Sequence, residues 1–348
     1  MKTQQSFEKL ALKRTGSTRA AILIVVVVMI LATAAWVFSF GRNTKSPPTS
    51  KTVTIAQFGD LLLYLPLYIA ADEGLFAKRG LDIHIASTGG DDKTYAAVIS
   101  GSAEFGLADP TFVAIAREKG QNGKVLALLI NGMPNYGVAL NPDKPVIKVP
   151  TELKGKTVAS VPAPSTSYAL MKQIYERAGL PPAIRQVSAP ALLPTLQAGE
   201  ADYALLIEPW VSDVVLNGGH VAFSLSDFYP EFALTGLTSS MDVIQRDPTT
   251  VGKVVSALAE AVSIFYTDDE RALRVATKRF PGEKLASLKA GISRMRNDKI
   301  YPRNLSVTEK AWETAAQLRR DIGDLTKPLK PMTEYVDNSF AQQADAAK

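Results

Sequence analysis

Ser100-Gly101-Ser102-Ala103-Glu104-Phe105-Gly106-Leu107-Ala108-Asp109-Pro110 and Ala198-Gly199-Glu200-Ala201-Asp202-Tyr203-Ala204-Leu205-Leu206-Ile207-Glu208-Pro209 read as near copies, about a hundred positions apart. In each, a glycine stops an apolar-periodic helix where a left-handed residue is wanted, and small and apolar residues then make a buried strand. A proline forbids further pairing and leaves a carboxylate at the strand's C-terminal end. In open α/β sheets that end borders the ligand crevice, so the repeat fits two similar lobes facing one cleft. Taken alone it also fits two ordinary αβ units.

Outward from the repeat the rhythm continues. Strands are expected at 52–56, 81–86, 125–131, 136–140, 156–161, 184–187 and 201–207. Helices are expected at 61–77, 93–100, 165–178 and 190–198. Strands alternating with helices at this spacing imply βαβ crossovers and mainly parallel sheets. After Asp247-Pro248, which pairs an N-cap with proline at the first helical position, helices dominate; Ser306-x-x-Glu309 reads as a capping box.

The 348 residues are 46% hydrophobic and 21% charged, a globular balance large enough for one big domain or two lobes. Much of the net charge of +5 sits before residue 20, where Lys2, Lys9, Lys13, Arg14 and Arg19 face only Glu8. The remainder is nearly neutral, which gives no electrostatic reason to expect nucleic acid. The apolar stretch between Arg19 and Arg42 is long enough to span a bilayer. Basic residues before it favour a cytoplasmic n-region at 1–19, with everything after the span outside. Residues 20–41 are either an uncleaved anchor or the h-region of a signal peptide with Ala32-Thr33-Ala34 as its cleavage site. Residues 42–51 form a polar, proline-bearing linker.

Cysteine is absent, which excludes disulfides, a lipid-modified cysteine, thiol catalysis and thiolate metal sites. The two histidines, His84 and His220, read as solvated residues at strand positions. No ligand pair is spaced for a metal, so a metal site would have to be all-oxygen, and no cofactor is implied.

Four stretches carry a resemblance: Ala70 to Ile83, Ser100 to Pro110, Glu152 to Ala159, and Leu193 to Trp210. Over roughly residues 52–340 the chain resembles the extracytoplasmic substrate-binding proteins of ABC transporters. The branch in question includes sulfonate, taurine, nitrate and thiamine-precursor binders. The resemblance implies an α/β type II periplasmic-binding-protein fold, two lobes around a cleft joined by two crossover segments. Lobe 1 would comprise 52–140 and 233–348, and lobe 2 would comprise 141–232. The implied partners are a small-molecule solute and ABC permease subunits, with no enzymatic activity. Pyrimidine synthases related to this fold use a cysteine-rich motif, which this chain lacks.

Candidate ligand residues fall at the expected strand ends. Phe58 and Gly59 follow the first strand, offering a stacking face and close backbone approach. Tyr64 can present a hydroxyl at the next helix, and Thr88, Gly89 and Gly90 form a loop rich in donors at a helix start. Asp109 and Thr111 close the first-lobe set, with Asp109 alternatively a helix cap. In the second lobe Ser165, Thr166 and Ser167 open a helix whose free amides and dipole suit an anion, or simply cap it. Glu208 and Trp210 pair a carboxylate with an indole, suited to a cation or an N–H-bearing ligand, or to an interlobe contact. The signs conflict: a zwitterion such as an amino sulfonate satisfies both sets, and so does an aminopyrimidine. Besides solute capture, the residues leave open an anchored sensor or scaffold that binds a partner protein, and a hydrolase using Asp109 and Glu208 as an acid-base pair.

Overall fold

A computed structural model describes residues 50–347. The expected n-region, anchor or signal segment, and nearly all of the linker fall outside them; among the described residues no helix is long and apolar enough to cross a membrane. The chain builds two five-stranded mixed sheets flanked by helices.

The first sheet contains β1 (Lys51–Gln57), β2 (Leu81–Ser87), β3 (Phe105–Ala108), β4 (Gly123–Asn131) and β10 (Ala233–Ser240), in the order β2-β1-β3-β10-β4. The second contains β5 (Tyr136–Ala139), β6 (Val158–Ser160), β7 (Ile184–Gln186), β8 (Tyr203–Leu206) and β9 (His220–Ser224), in the order β7-β6-β8-β5-β9. In each, three strands run parallel and a fourth pairs antiparallel on both of its edges: β10 between β3 and β4, and β5 between β8 and β9. Those two antiparallel strands are the ones reached by crossing between lobes. The expectation of mainly parallel pairing therefore holds for two of the four pairings in each sheet and fails for the two made by the inserted strand. The chain passes into the second sheet between Asn131 and Tyr136, earlier than residue 141, and re-enters the first at Ala233.

The repeated motif lands on equivalent strands, β3 and β8. Gly101 and Gly199 adopt φ of 77° and 73°, the left-handed conformation that favours glycine, directly after the helices α2 (Asp91–Ile99) and α5 (Leu192–Gln197). All four residues of both β3 and β8 are buried, as strands covered on two faces must be.

Other boundaries differ for local reasons. The expected long first helix is a single 3₁₀ turn followed by α1 (Leu65–Asp72), with Gly74 then in the left-handed region. Helix α2 begins at Asp91, two residues early, with Gly90 at the N-cap position and both aspartates inside its first turn. The remaining helices of the first half are α3 (Phe112–Glu118) and, after Ser165 as cap, α4 (Thr166–Arg177). Then come α6 (Trp210–Leu216), α7 (Leu225–Phe228) and α8 (Met241–Arg246).

The C-terminal helices are α9 (Pro248–Thr267), α10 (Asp269–Arg279), α11 (Leu285–Asn297), α12 (Glu309–Asp321) and α13 (Ser339–Ala346). Asp247 caps α9 as expected, its carboxylate accepting from Thr250 N–H at 2.9 Å. Thr308, not Ser306, caps α12. Most of these helices cover the first sheet, adding Val254, Leu258, Leu288 and Met295 to its core. Helix α12 instead places Trp312 and Leu318 in a second apolar cluster that also holds Leu128 of β4 and Leu170 and Ile174 of α4, so this cluster runs across both lobes. His84 is exposed, whereas His220 has both ring nitrogens buried without a hydrogen-bond partner among the described residues, contrary to the solvated position expected for it.

Candidate functional site

A cavity of about 180 Å³ lies between the two sheets. The first lobe lines it with Phe58, Leu61, Leu63, Tyr64 and Asp91; the second contributes Val161, Ser165, Thr166, Ser167, Leu205 and Trp210. Both crossovers reach it as well, Met133 and Asn135 from one and Leu234 and Thr235 from the strand that begins where the other ends. This follows from the topology: the chain segments after β1, β6 and β8, and the N-termini of α2 and α4, converge on one gap, as parallel α/β sheets place them.

The lining is largely apolar, with polar groups at two places. On the second-lobe side, Ser165 Oγ accepts from Tyr168 N–H at 3.3 Å and caps α4. Thr166 Oγ1 donates to Asp109 Oδ2 at 2.9 Å, which leaves Ser167 as the hydroxyl of this turn not engaged in the described protein contacts. On the first-lobe side, Asp91 Oδ1 accepts from Asp109 N–H at 3.1 Å. Burial, and then the neighbouring Asp109 carboxylate, push the Asp91 pKa up from the ordinary carboxylate range to about 7. Burial, then Asp91, raise the Tyr64 phenol well above its usual value, so it stays neutral.

The candidate residues named from sequence divide. Phe58, Tyr64, Ser165, Thr166, Ser167 and Trp210 line the cavity together. Gly59 does not, and a Cβ there would meet nothing within 4 Å, so no close backbone approach requires glycine. Thr88 turns inward on its own loop, its Oγ1 bonded to Gln57 O, Gly90 O and Thr94 Oγ1. Gly89 N–H is held by Phe58 O at 2.8 Å. With Gly90 at the helix cap, this loop serves to place Asp91 rather than to face the cavity.

Asp109, Thr111 and Glu208 lie behind the lining, each engaged with an arginine that the sequence analysis did not anticipate. Arg319 of α12, 1% exposed, bonds Asp109 Oδ2 at 2.8 Å and Thr166 Oγ1 at 2.9 Å through Nη2. Its Nε donates to Thr111 Oγ1 at 3.2 Å and its Nη1 to Asp324 at 3.0 Å. Burial alone would lower the guanidinium pKa; the two carboxylates outweigh it and the net shift is upward. Arg294 of α11 donates to Glu208 Oε1 at 2.7 Å, and Ser212 supplies its N–H and hydroxyl to the same carboxylate at 3.1 and 3.0 Å. Burial still leaves the Glu208 pKa above its ordinary value. Two acids each tied to its own arginine are not a free acid-base pair, which corrects the hydrolase option, and Glu208 already has its cation. Trp210 Nε1 is likewise spent on Glu283 at 3.1 Å, leaving its ring for the cavity.

Asp91, Asn135 and Thr235 also put polar groups into the lining. A run of Gly-Gly-Asp-Asp before a helix gives no sign of which carboxylate turns inward. Among the described residues no group of three or more His, Cys, Asp or Glu is placed to hold a metal.

Two α/β lobes, two crossovers and a cavity between strand ends define the type II periplasmic-binding-protein fold. The family model described as NMT1/THI5 like matches residues 63–272, and the chain belongs to that family. It is 21% identical over 319 residues to YtlA of Bacillus subtilis strain 168, a protein provisionally named for binding, covering 87% of this chain and 93% of that one. Among solved structures it is similar to the periplasmic nitrate-binding protein NrtA of Synechocystis PCC 6803, with a TM-score of 0.64 at 16% identity, covering 87% of this chain and 90% of the other. It is also similar to the periplasmic aliphatic sulphonate binding protein SsuA of Escherichia coli, with a TM-score of 0.61 at 16% identity, covering 78% and 87%. By their names these three are binding proteins, not enzymes.

Proposed function

We propose that this chain is the extracytoplasmic solute-binding component of an ABC uptake transporter, capturing a small organic solute between its lobes and presenting the closed form to a permease. The observation that carries this reading is the interlobe cavity of about 180 Å³, to which both lobes and both crossovers contribute side chains. A ligand touching both walls stabilises the closed arrangement over any open one, because only the closed arrangement makes both sets of contacts. Resemblance to solute binders and the apolar segment at 20–41 support placement outside the cytoplasm, whether the segment anchors the protein or is removed.

Native mass spectrometry of the purified full chain, followed by release and identification of any bound molecule, tests the proposal directly. A small solute should be found, and adding it at a hundredfold excess over its Kd should stabilise the fold by about 2.7 kcal/mol. A protein that carries no solute and shows no melting shift against broad solute panels overturns the reading.

A further inference from the structure

The cavity lining contains one carboxyl side chain, Asp91, and no lysine, arginine or histidine. The guanidinium that reaches this part of the molecule, Arg319, is already bonded to Asp109 and Asp324. Three carboxyls, Asp91, Asp109 and Asp324, thus stand around one cation, and the exposed Asp92 adds a fourth on the helix that carries Asp91. One oxygen of Asp91 takes the Asp109 N–H; the other has no partner among the described residues. Opposite stands the N-terminus of α4, whose dipole amounts to about half a positive charge. Once Asp91 is ionised its full charge outweighs that half charge, and two of the three hydroxyls there are already engaged. The α4 turn therefore suits a neutral acceptor on the solute better than a full negative charge.

On the basis of the capture reading above, we infer that Asp91 selects solutes by charge and that the solute is an organic base. A protonated amine or amidine N–H group seats on the free oxygen of Asp91, and an apolar body lies against Phe58, Tyr64 and the Trp210 ring. Binding such a cation lets Asp91 ionise despite its burial and despite Asp109 beside it. A small anion gains no cation here and meets an acid instead, so this cavity is not built as a nitrate or sulfonate site is expected to be, around a basic side chain.

Calorimetry on the full chain with matched probes tests this: benzamidine and tyramine against benzoate, benzenesulfonate and nitrate. At least one of the two bases should bind tenfold or more tightly than any of the anions. Its affinity should fall as pH drops below about 7, approaching tenfold per unit, because the proton on Asp91 must then leave; Asp109, Asp92, Arg319 and Tyr64, the groups facing it, set that midpoint. Asp91→Asn keeps the acceptor for Asp109 N–H, and should weaken the base at least tenfold, abolish the pH dependence and narrow the gap to benzoate. Should that variant not fold, the comparison of probes on the unaltered chain stands by itself. An anion that binds as tightly as the bases, or a bound natural solute bearing net negative charge, overturns the charge assignment and leaves solute capture intact. A chain that binds no probe and carries no solute overturns both.

Discussion

Asp109 and Glu208 end equivalent strands of the two lobes, and the molecule treats them differently. Both are buried and both meet an arginine from a C-terminal helix, so the repeat extends to the pairing. Both carboxylates also take hydroxyl and amide donors, Asp109 from Thr111 and Thr166 and Glu208 from Ser212, but Arg319 is 1% exposed and bonds groups of both lobes through all three nitrogens of its guanidinium, whereas Arg294 keeps 28% of its side chain exposed. One pair is a sealed junction between lobes, and the other a half-open one. The difference teaches that a shared sequence motif fixes where a charge must be answered, not how much depends on the answer.

That contrast can be broken at its strong end first. Arg319→Met should destabilise the fold by about 3–5 kcal/mol, because it strands a buried carboxylate. Combining it with Asp109→Leu should recover a good part of the loss, since a removed pair leaves no uncompensated charge; chemical denaturation of the three variants checks both statements. Arg294→Met should cost less, about 1–3 kcal/mol, because Arg294 is partly exposed and water can reach the carboxylate it leaves. Equal losses for the two arginines would erase the comparison.

The neighbour of Asp109 sharpens it further. A carboxyl whose folded pKa is raised from 3.8 to about 7 favours the fold when protonated, so its contribution is present below pH 4 and is lost as pH rises through about 7. Asp91→Asn removes that dependence. Its melting temperature relative to the parent chain should therefore rise between pH 4 and 7 and level off above about pH 8 in the absence of solute. The smallest effect is at the α4 cap, where Ser165→Ala should cost about 1 kcal/mol in thermal denaturation.

Much of this architecture was legible in the chain because its signals are local. The glycine stops at Gly101 and Gly199, the Ser165 and Asp247 caps and the buried runs at β3 and β8 all act within a few residues. The cavity was legible to the extent that it lies at strand ends, which brought Phe58, Tyr64, Ser165 and Trp210 to one place. What stayed hidden depends on contacts between distant segments. Nothing near Asp109 or Glu208 announces Arg319 or Arg294, 210 and 86 positions away, so two acids that look available for ligand are committed elsewhere. The first crossover was misjudged for a similar reason: Tyr136 to Ala139 reads as a strand in isolation, and only its partners β8 and β9 assign it to the second sheet.

The insertion of β10 between β3 and β4 has a consequence for biosynthesis. The second lobe's strands and the helices between them come from one continuous stretch, 136–228, and emerge from the ribosome together, but the first sheet stays open in its middle until residue 240 has been made. Arg319 arrives later still. A polypeptide wired this way cannot finish its first half ahead of its last third.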